Sequence, residues 1–483
     1  MQSRRDQVQA HLFVMSRLEA GMLRGEPDAP DLTPRRTHRG VRTGLFIAIA
    51  IALVMGLYGA IKPGGATGWR KPGTLVVVEE TGARYLFLDG QLRPVLNEAS
   101  ARLVAGDRMT VAQVSLKSLT GAPRGGPVGI VGAPDGLPQA AALTRRDWLV
   151  CGTVTRTPSG GVGAALSVVV GADRTGAPLT PDQATLVGTP DGARYLLWQG
   201  RRLRVDAKDG ADTALGFGAL TPYPVTSVFL NALPAGPDLA PPAIDGRGRP
   251  GPALGGRATR VGQLFTGPSG EPYVLTGSGL APLARTEFEL LRGDPRTQRD
   301  GYAGAAPVAV PIGAADLAAH PARAGALPAR GLPAAPPRPV ALAAGQGVCT
   351  ALTPSGASPR TRVTVVDALS VAGTAPAPQP GVATGCEVAD RVAVPPGGGA
   401  LVQALSGAGA SGASYLVADN GVKYPIPTAA AAKTLGYGAA APVGVPTALL
   451  SLLPTGPSLD PTSLAAAGVV EPRLTAAGSA VCG

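Results

Sequence analysis

The sequence predicts an α+β protein with a single N-terminal transmembrane helix and an elongated extracytoplasmic region of four hairpin–helix repeats. These repeats are expected to surround a disulfide-clasped central β-rich domain with pseudo-two-fold symmetry. Three observations support this prediction: a recurring sequence pattern, one uncharged apolar run near the N-terminus, and cysteines at matching points of two halves of the chain.

The recurring pattern is a tyrosine, an apolar run, a short glycine-containing turn and a second extended run. GARYLFLDGQLRPV at 82–95 is nearly repeated as GARYLLWQGRRLRV at 192–205, and weaker copies lie at 270–283 and 412–426. The tyrosines of the four copies are Tyr85, Tyr195, Tyr273 and Tyr415. Asp-Gly and Asn-Gly at the turns favour the positive φ angles of tight hairpins. Similarity at intervals of this kind predicts a repeated structural unit.

The second and fourth copies remain similar beyond the hairpin. Residues 214–241 align without gaps on 434–461, and 13 of the 28 positions are identical. Residues 428–436 and 97–106 each read as a short helix that ends at a glycine, a common helix C-terminus. The repeated unit is therefore predicted to be a hairpin followed by a helix.

These patterns divide the chain into successive segments. The segments are a cytosolic N-terminal segment with an amphipathic helix (1–43), a transmembrane helix (44–62), repeat 1 (74–140), the first segment of the central domain (141–182), repeat 2 (183–256), repeat 3 (257–340), the second segment of the central domain (341–406), and repeat 4 with the tail (407–483). The order of repeat, cysteine-containing segment and repeat occurs twice. This duplication predicts a pseudo-two-fold axis.

The four cysteines are Cys151, Cys349, Cys386 and Cys482, and all follow the apolar run. An extracytoplasmic location allows disulfides to persist, but spacing alone leaves three pairings open. Cys151 and Cys349 lie at equivalent points of the two halves, so symmetry favours this pair and leaves Cys386 with Cys482 near the tail. The spacings are not those of zinc sites, and no metal is expected.

The apolar run GLFIAIAIALVMGLYGAI at 44–61 contains 18 residues without a charge, enough to cross a bilayer. Arg35, Arg36, Arg39 and Arg42 lie shortly before it, and Lys62, Arg70 and Lys71 follow shortly after it. This bias favours a cytosolic N-terminus. A cleaved signal peptide is the alternative, but 43 residues precede the run and no small-x-small site follows it directly.

Residues 5–24 place Val8, Leu12, Met15 and Met22 on one face of a predicted helix. This segment is either a fraying helix or a helix that docks on a cytosolic or membrane partner. The net charge of +11 is spread along the chain without a cluster of basic and aromatic residues, so no nucleic-acid partner is expected.

These residues resemble the EccB family, the single-span core membrane component of type VII (ESX) secretion systems of actinobacteria. The resemblance covers nearly the whole chain. The matching motifs are QVxxxxFxxxRLExxM (7–22), SARLVAGD (100–107), PRGGPVGIVGAPDGLP (123–138), DWLVCG (147–152), GARYLLWQGRR (192–202) and LNALPAGPDLAPPAIDGRG (230–248).

The resemblance implies four repeat domains and a central domain stapled by Cys151 and Cys349. It also implies a homo-oligomeric place in an export channel, with an EccC-like membrane ATPase, EccD and often EccE as partners. Cys386 and Cys482 lie outside the family pattern. The sequence also departs from that pattern at residues 11–13, where the family has a more aromatic and basic stretch.

Some members of the family carry an ATPase label, which raises the question of a phosphate-binding loop. A Walker A loop requires a Gly-Lys pair, and the chain has none. The glycine-rich stretch at 125–136 lacks lysine and is interpreted as a turn. GYGAAA at 436–441 fits a dinucleotide fingerprint by letter, but it follows a predicted helix, and its repeat partner at 216–221 does not fit. No cofactor is expected.

Catalytic residues are not predicted either. A Ser or Cys nucleophile needs a base within reach, and the only histidine after the span is His320, expected on a solvated loop. Glu79 and Glu80 are adjacent on a predicted strand and should point to opposite faces. The predicted function is a structural, membrane-anchored subunit that scaffolds the extracytoplasmic side of a type VII export channel. The alternative is a membrane-tethered cell-wall-binding protein.

Overall fold

The computed structural model describes residues 3–24, 34–61, 67–106, 109–156, 160–328, 330–354, 359–385, 387–406 and 411–471. The described chain is a mixed α+β structure made of two compact units. The first unit comprises Met1–Arg70, Val77–Gly82 and Ala112–Ala122, and the second comprises Lys71–Val76, Ala83–Val111 and Pro123–Gly483.

The helices of the described residues are α1 Arg4–Arg24, α2 Pro34–Ile61, α3 Glu98–Ala105, α4 Ala211–Ala214, α5 Ser227–Asn231, α6 Arg285–Gly293, α7 Ala314–Ala319, α8 Ala429–Thr434, α9 Thr447–Leu450 and α10 Pro461–Ala467. The strands from β1 to β12 are Thr74–Val78, Arg84–Leu88, Gln91–Pro94, Thr110–Val114, Gly129–Ile130, Trp148–Arg156, Val162–Val169, Ala177–Pro178, Gln183–Gly188, Arg194–Trp198, Arg201–Arg204 and Tyr223–Pro224. The strands from β13 to β25 are Leu264–Thr266, Pro272–Thr276, Gly279–Pro282, Val310–Pro311, Arg338–Pro339, Gln346–Thr353, Arg360–Asp367, Arg391–Ala393, Gly399–Leu405, Ser411–Ala418, Lys423–Ile426, Val443–Pro446 and Val469–Val470.

Three sheets have the same strand order along the chain. The orders are β11-β10-β9-β12, β15-β14-β13-β16 and β23-β22-β21-β24. In each sheet a hairpin pairs antiparallel with the strand that precedes it, and the strand that follows pairs parallel with that same preceding strand. The same succession of strand, hairpin and strand occurs at 74–114, where β2 and β3 form the hairpin. Strand β21 begins at 399, before position 407, which is the predicted start of repeat 4.

The backbone conformation of two hairpin turns explains why the first and second hairpins have such similar sequences. Asp89 and Gly90 have φ angles of 50° and 74°, and Gln199 and Gly200 have φ angles of 46° and 74°. Two positive φ angles in a two-residue loop define the turn whose twist matches the flanking strands. The second turn residue is glycine in both copies, because glycine adopts this conformation without strain.

The final strand of each of these four hairpins also contacts a later segment through an isolated parallel bridge. The bridges are Leu92 with Arg124, Arg202 with Ala235, Leu280 with Pro321, and Lys423 with Thr455. Each hairpin is thus followed by a helix and then by a segment that returns to the outer edge of the hairpin.

The helices of these segments pack in two groups within the second unit. Helix α3 begins at Asn97, whose side chain accepts a hydrogen bond from Ser100 N at 3.0 Å, and it ends at Gly106 with a φ of 64°. Helix α3 contacts α8 and α10, whereas α4 contacts α6. The first hairpin segment therefore packs with the fourth, and the second packs with the third.

Candidate functional site: a disulfide-bonded central sheet and a membrane span

The central sheet has the strand order β20-β7-β6-β18-β19-β8. Strands β6 and β18 are antiparallel neighbours, and their register places Cys349 directly opposite Cys151. The two residues form a disulfide with a Cα–Cα distance of 4.0 Å and a sequence separation of 198. Both cysteines are fully buried, so the disulfide is shielded from solvent.

The two hairpins of this sheet repeat the same spacing. Strand β7 pairs with β6 on one side, and β19 pairs with β18 on the other. Strand β19 begins and ends 198 positions after β7, the same separation as the two cysteines. Each half of the chain therefore contributes one hairpin of matching length, and the disulfide joins the two inner strands.

The two faces of the central sheet have different neighbours, because successive side chains of a strand point to opposite faces. Leu149 and Ala351 lie with the disulfide in a small buried cluster that also contains Ala172, Val366 and Val371. The opposite face belongs to the largest buried cluster of the described residues. Its members from the central sheet include Trp148, Val150 and Val348, and those from the second and fourth hairpin segments include Val187, Phe229, Val402 and Leu449.

The two halves are also connected by exchanged segments. Strand β17, which leads into β18, pairs parallel with β9 of the other half, and Val340 N donates to Ala184 O at 2.8 Å. In the same way, Leu143, which leads into β6, forms a parallel bridge with Gly399, and Thr144 N donates to Gly399 O at 2.8 Å. Each connection therefore adds backbone hydrogen bonds to a sheet of the opposite half.

One hairpin tip docks directly on the central sheet. The hydroxyl of Thr361 donates to the carbonyl oxygen of Gly200 at 3.0 Å. A Cβ atom at Gly200 would overlap the backbone carbonyl of Thr361. The equivalent glycine of the first hairpin, Gly90, has no atom within 4 Å of that position. The glycine at 200 is thus needed for docking as well as for the turn.

A buried ionic network joins the second and third hairpin segments. The side chain of Asp294 is fully buried and accepts hydrogen bonds from Arg247, from Arg296 Nε at 3.2 Å and from the Thr297 hydroxyl at 3.2 Å. Arg296 also pairs with Asp209, at 2.6 Å from Nη2 to Oδ2. Burial raises the pKa of Asp294, but the arginine hydrogen bonds and charges outweigh burial and hold that pKa below its usual value. The carboxylate is therefore ionised and paired at neutral pH.

A second buried charge lies in the fourth segment. Lys423 Nζ donates to the backbone oxygens of Leu450 and Leu453 at 2.6 and 2.7 Å. Burial lowers the pKa of Lys423 to about 8, because the charged form loses hydration. In the second hairpin, Arg202 occupies the position in the strand pairing that Lys423 occupies in the fourth. The Nη1 of Arg202 donates to Asn231 Oδ1 at 3.0 Å.

Helix α2 contains the apolar run predicted at 44–61. Its stretch Arg39–Tyr58 is long and apolar enough to cross a membrane, with a mean hydropathy of 2.1 and none of it buried within the protein. A helix of 28 residues spans about 42 Å at 1.5 Å per residue. The prediction of a candidate span is confirmed by this helix. Its orientation in a membrane stays a prediction.

The predicted helix at 5–24 is present as α1, and Val8, Leu12, Met15 and Met22 are all more than half exposed. Cys386 and Cys482, the expected second disulfide, lie outside the described residues. Across the described ranges of the chain, no group of three or more His, Cys, Asp or Glu side chains is placed to hold a metal ion.

Two interpretations of the sequence were wrong in detail. Glu79 and Glu80 lie in a turn after β1 and not on a strand, and the Glu80 carboxylate accepts from Leu116 N at 2.9 Å. This contact caps the short 3-10 helix at Leu116–Leu119. The stretch at 125–136 is not simply a turn either, because it contains β5, which pairs parallel with β25 near the C-terminus.

The other sites considered in the sequence have structural roles. His320 ends helix α7 and is half-buried, and its carbonyl oxygen accepts from Leu280 N at 2.8 Å. Gly436 follows helix α8, as expected from the sequence, and has a φ of 92°. A dinucleotide-binding loop would instead follow a strand. The hydroxyl of buried Tyr437 donates to Pro138 O at 2.8 Å. These residues terminate helices or contribute packing contacts.

Comparison with known proteins places this architecture in a family. Residues 1–470 match the family described as "Type VII secretion system ESX-1, transport TM domain B". A relative named ESX-3 secretion system ATPase EccB3, from Mycolicibacterium smegmatis, is 31% identical over 94% of this chain and 89% of its own length. A relative named ESX-2 secretion system ATPase EccB2, from Mycobacterium tuberculosis, is 29% identical over 95% of this chain and 93% of its own length.

Solved structures agree with this assignment. A chain of an intact ESX-5 inner membrane complex has a TM-score of 0.64 and 25% identity, with coverage of 96% of this chain and 95% of that chain. A chain of the EccB3 dimer from the ESX-3 core complex has a TM-score of 0.61 and 29% identity, covering 81% of this chain and 99% of that chain. The fold, the candidate span and the sequence match over residues 1–470 together show that this chain belongs to the EccB family of type VII secretion systems.

Proposed function

We propose that this chain is a structural, membrane-anchored subunit of a type VII secretion complex that scaffolds the extracytoplasmic side of the export channel. The observation that carries the proposal is the match along nearly the whole chain to a subunit of an intact ESX-5 inner membrane complex. A disulfide-bonded folded region that follows one candidate span in the sequence is compatible with an anchored scaffold.

The extracytoplasmic region is proposed to consist of four repeats, related in pairs by a pseudo-two-fold axis through the Cys151–Cys349 bond. The common strand order, the four isolated bridges and the equal spacing of the central hairpins support this arrangement. The reciprocal pairing of β17 with β9 and of Leu143 with Gly399 also supports it. A fourth repeat that starts at β21, and not at 407, fits the sheet order best.

The N-terminus is proposed to lie in the cytosol and the region after helix α2 outside the cell membrane. The arginines before the span outnumber the basic residues that follow it closely, which favours this topology. Labelling of single-cysteine reporters at positions 2 and 300 with an impermeant reagent tests it in intact cells. Position 300 should react and position 2 should not; the reverse result would refute the orientation.

The proposed partners are an EccC-like membrane ATPase, EccD and EccE, together with further copies of this chain. The similar chains come from an intact ESX-5 inner membrane complex and from the ESX-3 core complex. We therefore expect this chain to assemble with other membrane subunits as well. Purification of a tagged chain in mild detergent, followed by mass spectrometry, should recover an EccC-like ATPase. Recovery of the chain alone, together with pelleting of its exterior region on isolated cell wall, would favour the wall-binding alternative.

A further inference from the structure

A cavity of about 370 Å³ lies beside strand β9 in the second hairpin segment. Strand β9 pairs in parallel with β17 at its start and with β12 at its end. Between these two contacts lies a gap, and Thr185 and Leu186 of β9 are part of its lining. The proposed scaffold assigns no role to this gap.

The fourth hairpin segment contains the same arrangement of strands. Val187 of β9 pairs with Tyr223, and Val402 of β21 pairs with Val443. Tyr223 and Val443 are equivalent in the gapless alignment of the second and fourth copies. The two segments can therefore be compared residue by residue.

A segment from the opposite half of the chain joins each of these strands near its start. Its backbone N–H donates from Val340 to β9 and from Thr144 to β21, at 2.8 Å in both cases. The accepting residue lies three positions before the matched valine in each strand. The next residue of the joining segment is Ala341 in the first case and Arg145 in the second. These two positions are therefore equivalent.

A guanidinium spans the gap in the fourth segment. Arg145 Nη2 donates to Ala441 O at 2.9 Å, and the gapless alignment matches Ala441 with Thr221. Thr221 and Ala341 both line the cavity of the second segment. Because the methyl group of Ala341 has no donor, it cannot give Thr221 O the hydrogen bond that Arg145 gives Ala441 O. The cavity is thus the place that an arginine covers in the equivalent segment.

The lining of the cavity suits an arginine side chain. The half-buried side chains of Leu220 and Leu342 provide apolar surface, on which the stem of a long cationic side chain packs well. The hydroxyls of Thr185 and Tyr223 already donate to backbone oxygens of the chain, at 2.5 and 2.8 Å. None of the described lining residues is charged. A ligand that brings its own donors, and no anion, is therefore favoured at Thr221 O.

We propose that this cavity receives an arginine side chain from another subunit, of different sequence, with its guanidinium donating to Thr221 O. Arginine suits the site better than lysine, because its planar donor group is more weakly hydrated than an ammonium. The rim contains the exposed, apolar Pro224 and Pro339, against which the backbone on either side of a protein's arginine can lie. The inference rests on the proposed function, because the arginine has to come from a partner in the complex.

Photo-cross-linking of the full chain in cells that contain the complete secretion system tests the proposal. A benzophenone amino acid at position 224 should capture a subunit of different sequence, at a peptide that contains arginine. Ala341→Arg should lower the yield about tenfold, the loss expected for one hydrogen bond to a charged group, because the chain's own guanidinium would take the partner's place. Ala341→Ser leaves the cavity open and should keep the yield. Arg145→Ala changes the matched site alone and should also keep it.

The partner's arginine gives a test that does not depend on the folding of any variant of this chain. Its replacement by alanine should also lower the yield about tenfold, whereas replacement of an exposed neighbour should not. Equal yields in these comparisons, capture of a second copy of this chain alone, or no cross-link at all would each overturn the docking. Recovery of an EccC-like ATPase with the tagged chain reports separately on the proposed function, which can therefore stand when the docking fails.

Discussion

Cys151 and Cys349 lie opposite each other on adjacent antiparallel strands, one from each half of the chain. Their Cα atoms are 4.0 Å apart although the residues are separated by 198 positions. The bond therefore closes a long loop at the one place where the two central hairpins meet. Loss of this bond would leave the halves joined by the β6–β18 backbone pairing, the exchanged strand segments, the Asp294 ionic network and side-chain packing.

The first prediction concerns this bond. Cys151→Ser, Cys349→Ser and the double variant should each lower the free energy of unfolding by a similar amount, about 3–5 kcal/mol, since long-loop disulfides restrict the unfolded chain most. Equality is expected because each variant removes the same covalent link. Urea unfolding followed by tryptophan fluorescence measures the effect. A double variant with the sum of two single effects, or a Cys151–Cys386 peptide under non-reducing conditions, would contradict the assignment.

Much of this fold is predictable because its signals are local. The turns at Asp89-Gly90 and Gln199-Gly200 require positive φ angles, and the helix at 97–106 carries its own cap at Asn97. The apolar run of helix α2 needs no tertiary information. Such features follow from a few neighbouring residues, so a single sequence is sufficient to find them.

Other features depend on contacts between distant residues and leave no readable pattern. Strand β21 has no tyrosine motif, so its sequence does not separate it from the central domain, although it pairs with β22. The Asp294 network and the two carbonyl partners of Lys423 combine side chains and backbone from separate segments. The role of Glu80 is equally hidden, because a carboxylate that caps a later helix cannot be recognised without its partner at Leu116.

The second prediction separates the two roles of a hairpin glycine. Gly200→Ala should destabilise the protein far more than Gly90→Ala, although both glycines have a φ of 74°. The shared backbone strain costs about 1–2 kcal/mol. Only the change at 200 also forces the hairpin away from Thr361, which we expect to cost roughly 2 kcal/mol more. Chemical unfolding of the two matched variants gives the difference, and equal losses would disprove docking at this tip.

The third prediction concerns Lys423. Its pKa of about 8 in the folded protein lies below the usual value of 10.5, so the unfolded chain binds more protons between these values. Stability should therefore rise as the pH increases from 8 to 10.5, by at most about 3 kcal/mol. Lys423→Met should abolish this component of the rise, whereas Lys433→Met, on helix α8, should keep it. Identical pH profiles of stability for the wild type and Lys423→Met would show that the pKa of Lys423 is not lowered in the folded protein.

The last prediction concerns Asp294. Asp294→Asn removes the charge that compensates buried Arg247, and breaking a buried pair in this way costs about 3–5 kcal/mol. Because the folded pKa of Asp294 is depressed, its contribution is fully present above the unfolded value of about 3.9 and is lost as the pH falls through the folded value. The wild type should therefore lose stability below about pH 4, and the variant should lack this component.

An exposed ion pair gives the control for that experiment. Asp182 pairs with Arg338 at 2.5 Å, but the two side chains are 59% and 73% exposed, and solvent screens such pairs strongly. Asp182→Asn should leave the unfolding free energy nearly unchanged at neutral pH. If Asp294→Asn behaved like Asp182→Asn, the Asp294 network would not hold the second and third hairpin segments together. A large effect at Asp294 alone would show that the buried pair, and not acidic charge in general, stabilises this junction.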